Sequence, residues 1–422
     1  LSGNIEDIAA NSVTPTLASP GASGSLGSNA NVVIDTTAPT ATNFNRLTPS
    51  TTPTSADTLT WQVIFSEDVT GVNVDGSDFT IPALTGDSIS VSAVNATTYD
   101  VTASGGNLAS FTGLVDLDFT ATPSIADLAG NALVSTIVGF DQHYMMDNIA
   151  PTVTMSSSAS NPTNVSPIPV TVTFSESVTD FSAGDISTSN GAVDNFAGSG
   201  TVYTFDLVPA GQGLVTADIA AGVAQDDAGN NNTAAAQFSR IFDSVAPTVT
   251  INQKTSAPAQ PDPTGTSPIN FTVVFSESVG GSFTTGDVNL SASTAPGTLV
   301  GTVTEIAPND GTTYNVAVSG MSGDGTVIAS VDAGVATDGL NTNAASTSTD
   351  NSVLYDTVAP SVTIVQAIGQ SDPTDASPIN FTVTFSEDVT DFNDSDDVAL
   401  TGTAGATTIN ITGGPKVYNV AA

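Results

Sequence analysis

Cysteine is absent from this 422-residue chain, so no disulfide staples it and thiol redox or thiolate metal chemistry is excluded. Basic residues are almost absent as well. Arg46, Arg240, Lys254 and Lys416 stand against 42 acidic residues, for a net charge of -38. Phosphate recognition needs clustered Lys and Arg, so nucleic acid is not a partner. Attraction to an anionic membrane surface fails for the same reason. His143 is the only histidine, which leaves no partner set for a histidine triad or an imidazole metal centre. Two lysines cannot supply a Lys–Asn crosslink to every repeat described below. No run approaches the ~18 apolar residues of a membrane span, so no direct membrane insertion is expected. No signal peptide opens the sequence at Leu1, which reads as a processed or excerpted piece. Scarce Lys, Glu and Leu beside abundant Thr, Ser, Val, Gly, Asn and Asp disfavour helices. No glycine-rich phosphate loop runs from a strand into a helix. The composition is that of an extracellular, cell-surface protein.

What the chain has instead is a recurring phrase. An Asp-x-x-Ala-Pro link occurs at Asp35–Pro39, Asp147–Pro151, Asp243–Pro247 and Asp356–Pro360. Each is followed by a segment ending Phe-Ser-Glu, at Phe65–Glu67, Phe174–Glu176, Phe275–Glu277 and Phe385–Glu387. The link prolines at 39, 151, 247 and 360 lie 112, 96 and 113 residues apart, the period of a whole domain rather than of a solenoid turn. Three full repeats are predicted, 36–147, 148–243 and 244–356. Residues 1–35 read as the C-terminal part of a repeat and 357–422 as the N-terminal part of another.

Within each period the pattern is that of strands. Val170–Phe174 and Phe381–Phe385 alternate apolar residues with Thr, Phe271–Phe275 does so except at Val274, and Trp61–Phe65 occupies the same place in the first full repeat. A Pro-Thr turn precedes each (Pro53, Pro162, Pro263, Pro373), and a tyrosine strand follows (Tyr99, Tyr203, Tyr314, Tyr418). Trp61 and the repeated Phe and Tyr are expected in cores, and His143 on a solvent-facing strand. Short strands between Gly, Pro, Asn and Asp turns predict an all-β fold, a two-sheet antiparallel sandwich per repeat.

These phrases in fixed order, with Asp-x-Ala-Gly-Asn at Asp127–Asn131 and Asp226–Asn230 and Gly-Asp at Gly184–Asp185 and Gly286–Asp287, resemble the bacterial immunoglobulin-like tandem domains of giant adhesins and other bacterial surface proteins. The resemblance covers all three full repeats and both partial ones. It is incomplete at Asp338-Gly-Leu-Asn341, one residue short, and at Ser77-Asp78, where Gly-Asp is expected. It implies immunoglobulin-like β-sandwiches arranged as an extended rod, a stalk role and calcium binding. Four repeat-equivalents end to end suggest a rod on the order of 150 Å.

Chain direction places the acidic residues. The first strand leaves the link, the Phe-Ser-Glu strand returns towards it, and the last strand must run away again to reach the next link. Link Asp, strand-end Glu and turn Asp therefore meet at the upstream pole of each repeat. Four of the six glutamates are the Phe-Ser-Glu residue, a placement that general solubility charge does not explain. Converging carboxylates without Lys or Arg need a cation, and oxygen-only donors suit Ca²⁺. The expected ligand sets are Asp35, Glu67 and Asp127; Asp147, Glu176 and Asp226; and Asp243, Glu277 and Asp338. Asp78, Asp185 and Asp287 are secondary additions. Asp356 and Glu387 form a fourth set that lacks a turn Asp. The alternative is that these Asp and Asn residues serve only local Asx turns.

Two readings of function stay open. One is a non-enzymatic stalk of a bacterial cell-surface protein, stiffened by calcium at its junctions, with any glycan or protein receptor engaged by regions outside this chain. The other is a subunit of a self-assembling filament, sheath or surface layer. Its partial ends, 35 and 66 residues, total 101, close to one repeat, and would complete one another head to tail. A slice of a longer array would look the same. Paired carboxylates can hydrolyse glycosides, but identical placement in every repeat argues for structure.

Overall fold

The computed structural model describes residues 5–13, 22–23, 25 and 33–422. Its described residues are strands and turns, with helical geometry confined to short 3-10 turns. They fall into two compact units, Leu1–Phe242 and Asp243–Ala422.

In the first unit, residues 40–146 form a five-stranded sheet with a packed core. Its order is Val134–Asp141, Thr40–Thr48, Thr58–Phe65, Thr98–Gly105, Asp87–Asn95. Every second residue of Thr58–Phe65 is buried, so Leu59, Trp61, Val63 and Phe65 enter the core while the alternating positions stay partly open. Trp61 is fully buried, and its Nε1 donates to the Gln142 carbonyl at 3.0 Å. His143 lies between two strands rather than on one, half exposed and 3.6 Å from Asp116. The Val134–Asp141 strand pairs parallel with Thr40–Thr48, a departure from the all-antiparallel expectation. Both strands run away from the upstream pole, so they can only be parallel once they lie side by side.

Residues 153–242 form a second sandwich with its own core. One sheet holds Val153–Ser156, Ile168–Thr179 and Gly191–Pro209; the other holds Ile186–Ser189, Gly213–Ile219 and Phe238–Phe242. Val172, Phe174, Phe205 and Leu207 meet Val215, Ala217 and Ile219 between them.

The second unit repeats the plan once in full. Its sheet runs Val249–Gln253, Ile269–Phe275, Thr313–Met321, Gly297–Glu305. Two strand pairs belong to the opposite layer, Val288–Asn289 with Ser330–Val331 and Gly325–Ile328 with Ser352–Tyr355. Residues 357–422 form a sheet of the same order, Val362–Gln366, Asn380–Phe385, Val417–Ala421, Asn410–Gly413. Among the described residues no second sheet belongs to them, and only Val383, Tyr418 and Val420 are buried hydrophobics there.

The Pro-Thr turn has a second duty beyond turning the chain. Thr54, Thr163 and Thr264 are buried and bridge in parallel to Met146, Phe242 and Tyr355, the residues just before the next link Asp. The threonine N–H donates to the carbonyl one residue earlier still, at 3.0, 2.9 and 2.9 Å. This main-chain latch ties the end of each sandwich to its own Pro-Thr turn. The apolar stretch Asn31–Ile34 of the N-terminal partial repeat reads in sequence as a terminal strand, and it falls partly outside the described residues. Val33 and Ile34 are described as exposed, non-strand chain.

Candidate metal centres

Each residue of Phe-Ser-Glu has a separate task. The phenylalanine meets the tyrosine-strand ring edge-on, with centroids 5.8, 5.9, 6.0 and 5.9 Å apart for Phe65–Tyr99, Phe174–Tyr203, Phe275–Tyr314 and Phe385–Tyr418. The tyrosine hydroxyls donate to loop carbonyls at Val69, Val178, Gly280 and Val389, which pins the loop just after each Glu. The serine clamps the start of the first strand. Its Oγ accepts from the N–H of Thr40, Thr152, Thr248 or Ser361 at 2.9–3.0 Å, and its own N–H donates back to that residue's carbonyl. The glutamate is thereby delivered to the link.

The two aspartates are held by local turns. The link Asp Oδ1 accepts from the N–H two residues on, at Thr37, Ile149, Val245 and Val358. In the Asp-x-Ala-Gly-Asn turn the Asp N–H donates to the Asn carbonyl at 3.1 Å, at Asp127–Asn131 and at Asp226–Asn230. The Asn N–H and Nδ2 return to the two carboxylate oxygens at 2.7–2.8 Å. The shorter Asp338 turn closes on Asn341 one residue earlier, with Leu340 N–H and Asn341 N–H both donating to Oδ1. The same asparagines bridge to the link: Asn131, Asn230 and Asn341 donate Nδ2 to the carbonyls of Asp35, Asp147 and Asp243 at 3.2, 2.8 and 3.3 Å. The Asx turns therefore exist, and they aim the carboxylates rather than exhaust them, since an ionised carboxylate has about four acceptor sites.

Three clusters result. Asp35, Glu67 and Asp127, then Asp147, Glu176 and Asp226, then Asp243, Glu277 and Asp338 each bring three carboxylate oxygens within 4.8 Å of one another. No hydrogen bond or ion pair to Glu67, Glu176 or Glu277 occurs among the described residues. Desolvation first, then the charges of the two cluster aspartates, raises each of these glutamates above its ordinary 4.5, with Asp68 adding to Glu67. The opposite holds for Asp127, lowered mainly by its Asn131 side-chain hydrogen bond. At Asp338 burial opposes ionisation, but the Asn341 and Leu340 hydrogen bonds outweigh it and the value is lowered. Each cluster thus presents hard oxygen donors and one half-buried glutamate with nothing to balance it. Oxygens around Ca²⁺ at 2.3–2.6 Å sit at most roughly 4.6–5.2 Å apart, a span these clusters fit.

The remaining predicted residues divide. Asp356 and Glu387 belong to no three-acid cluster among the described residues. Asp78 is buried and spends its carboxylate on Asn73 N–H, Ser124 N–H and Ser124 Oγ at 2.8, 2.6 and 2.9 Å. Asp185 and Asp287 close capping boxes with Ser182 and Thr284. These three stabilise the neighbouring loop and lie outside the clusters. Sequence reading missed two buried asparagines just past the turns. Asn232 Oδ1 accepts from Val223 and Ala224 N–H while its Nδ2 donates to the Ala220 and Thr233 carbonyls. Asn343 repeats this with Val335, Ala336, Asp332 and Ala344. Their repeated offset from the Asn of the turn was the available signal.

Hydrogen bonds also join successive repeats within each unit. Ser55, beside the Pro53–Thr54 turn, donates its N–H and Oγ to the Ala228 carbonyl in the Asp226 turn, at 3.1 and 2.8 Å. Asn148 Nδ2 donates back to the Leu108 and Phe111 carbonyls at 3.1 and 2.7 Å. Asp324 Oδ1 accepts from Thr357 N–H and Oγ at 2.8 and 2.7 Å. The Asp147–Pro151 link is therefore fastened to the repeat before it while Asp147 faces the cluster of the repeat after it.

Residues 147–241 match the bacterial Ig-like domain family. Among solved structures, the chain is similar to the Escherichia coli adhesin FdeC, at 16% identity over 76% of this chain and 96% of that one, with a TM-score of 0.33. It is also similar to invasin, a bacterial integrin-binding protein, at 11% identity over 79% of this chain, with a TM-score of 0.32. The S-layer protein SbsC is a third, at 12% identity over 91% of this chain, with a TM-score of 0.21. The chain covers 64% of the invasin chain and 62% of the SbsC chain. Comparison with curated proteins found no match.

Proposed function

We propose that this chain, an array of bacterial Ig-like domains, is a non-enzymatic stalk segment of a bacterial cell-surface protein, stiffened by calcium at its upstream poles. The observation that carries this reading is the threefold recurrence of one unbalanced glutamate between two aimed aspartates. A catalytic pair has no reason to recur unchanged in every repeat, whereas a joint has. The Asp and Glu carboxylates would hold Ca²⁺ together with carbonyl oxygens, and the metal would supply charge balance alone.

Extracellular calcium sites commonly bind at 10⁻⁴–10⁻³ M, so millimolar calcium adds about 1 kcal/mol per site by mass action. That is small beside the stability of a sandwich core and large beside the freedom of a short link. Calcium is thus assigned to orientation rather than to folding. Receptor recognition, of a glycan or a protein, is assigned to regions outside this chain.

Calorimetric titration of the chelator-stripped chain is expected to show three calcium sites, with Glu67→Gln, Glu176→Gln and Glu277→Gln each removing one. Small-angle scattering should show a longer maximum dimension with calcium than with chelator, at unchanged far-UV circular dichroism. Scattering curves that superimpose in the two conditions would end the stiffening reading.

A further inference from the structure

Each complete repeat hangs between its two links by a first strand and a returning segment that run the same way. In 36–147, Val134 N–H donates to the Pro39 carbonyl at 2.9 Å and Gln142 N–H to the Phe44 carbonyl at 2.8 Å. Between those bonds Val134, Ile137, Phe140 and Asp141 lie parallel against Thr40, Ala41, Asn43 and Phe44. In 244–356, Ala344 and Thr347 N–H donate to the Pro247 and Val249 carbonyls at 3.1 and 3.0 Å. Ile251 N–H returns to the Thr347 carbonyl at 3.2 Å, and Gln253 N–H to the Asp350 carbonyl at 2.6 Å. Asn252 Oδ1 adds a side-chain tie, accepting from Thr349 and Asp350 N–H at 2.9 and 3.0 Å. The same contact is thin in 148–243. Thr233 N–H and Oγ1 donate to the Pro151 carbonyl at 2.9 and 3.4 Å, and no other main-chain bond joins first strand to returning segment among the described residues.

Tension along the chain can enter a repeat only through these two segments. The upstream link pulls the start of the first strand, and the downstream link pulls the end of the returning segment the opposite way. Neighbouring parallel strands pulled so are sheared along their length, and their evenly spaced bonds take the load together. Antiparallel strands held at adjacent ends would instead open one bond at a time. The Pro-Thr latch lies on the same path, because Thr54, Thr163 and Thr264 also bridge in parallel to the residues just before the next link Asp. Forced unfolding is set by the unfolding rate rather than by equilibrium stability. Bonds that must break together therefore raise the force a repeat withstands more than they raise its melting temperature.

We propose that each complete repeat is a shear clamp, that the chain bears tension, and that its clamps are graded. Repeat 148–243, with the thinnest parallel contact, yields first; 36–147 and 244–356 hold. The grading has a mechanical use. When the weakest repeat opens, the chain lengthens and the tension on its neighbours falls before they reach their own limit. Calcium at the links concerns how repeats are oriented, whereas the clamp concerns the load at which a repeat opens. The clamp consists of main-chain and amide hydrogen bonds, so it needs no metal and stands apart from the calcium reading above.

The test is single-molecule force spectroscopy of the full chain, held at its two ends in chelator. Three events of about one repeat each are expected. The link prolines lie 96 residues apart across 148–243 but 112 and 113 apart across the others, so its event is recognised by an extension about 60 Å shorter, at ~3.6 Å per residue. That short event should come at the lowest force. Thr347→Pro removes the N–H that meets Val249 and should bring one of the two later events down to the force of 148–243. Asn252→Ala removes the side-chain tie from a partly buried position and should lower the same event by less. It carries the test alone if circular dichroism shows that Thr347→Pro does not fold. Val316→Ala truncates the core of that repeat on a strand joined to neither link, and should lower its melting temperature while changing its force less than Asn252→Ala does. A short event that is not the weakest, or a force that follows melting temperature across these variants, overturns the clamp. Graded forces in chelator uphold it whatever calcium titration shows.

Discussion

Residues 244–356 and 357–422 share one plan through their first three strands. Both order their sheet alike, both clamp the first strand through the motif serine at 2.9 Å, and both set the motif phenylalanine edge-on to the tyrosine, at 6.0 and 5.9 Å. They part where the chain must return. The first goes on through Gly325–Ile328, the Asp338 turn and Ser352–Tyr355, and buries Ile251, Phe271, Val316 and Val353 completely. In the second, Phe381 and Phe385 remain only partly buried. The difference separates two things that the repeat period runs together. The serine clamp and the glutamate's position are products of the first sheet alone. Core burial and the third carboxylate come from the returning segment.

The largest effect that can break this comparison is at the paired isoleucines. Ile251→Ala leaves a cavity in a closed core and should cost about 2–4 kcal/mol. Ile364→Ala changes a half-exposed side chain and should cost under ~0.5 kcal/mol. Amide hydrogen exchange across Ile269–Phe275 and Asn380–Phe385 reads the two separately. Equal losses would mean that the second face is covered after all.

Next in size is Asn343→Ala, which strands two N–H groups and two carbonyls at the rim of the 244–356 core. About 2 kcal/mol is expected, because buried unpaired groups cost roughly 1–3 kcal/mol each and some regain water. Protection should fall across residues 332–344 and stay unchanged in 357–422, where no such asparagine exists. A loss shared by both regions would show that the two fold as one cooperative body.

Much of the first sheet was legible because its signals are local. Alternation in Phe271–Phe275 marks a one-sided strand, and the return of Glu to one motif position marks a shared pole whatever the core contains. The returning half was harder to read. Thr264 was expected only as a turn residue, since a main-chain bridge to Tyr355 leaves no trace in side-chain chemistry. Nothing local distinguishes Asn343 from its neighbouring Asn and Thr residues, because its partners span the turn. The parallel pairing of Val134–Asp141 was missed because a period of two gives a strand's faces but not its neighbour. Asp78 is a secondary ligand candidate only because its loop lies at the same pole, and its carboxylate binds Ser124, 46 residues away. In each case the missing information was the partner across the fold.

The smallest effect sharpens the comparison at the poles, between Glu277 and Glu387. Burial and the charges of Asp243 and Asp338 raise Glu277, so the folded repeat holds that proton more tightly than the unfolded chain does. Stability from this group is therefore fully present below about 4.5 and is lost as pH rises through the raised folded value. In chelator the unfolding temperature of 244–356 should fall across that window. Calcium needs the ionised form, so its stabilisation should grow across the same window, reach about 1 kcal/mol near neutrality and vanish in acid. Glu277→Gln should flatten both slopes and abolish the calcium response of that repeat. Glu387→Gln should leave the calcium response unchanged, because its pole has two acids rather than three. Calorimetry of Glu277→Gln across pH, and of both variants with calcium and with chelator, reads these differences. A calcium response that survives Glu277→Gln would detach the cation from this cluster and return its aspartates to their turns.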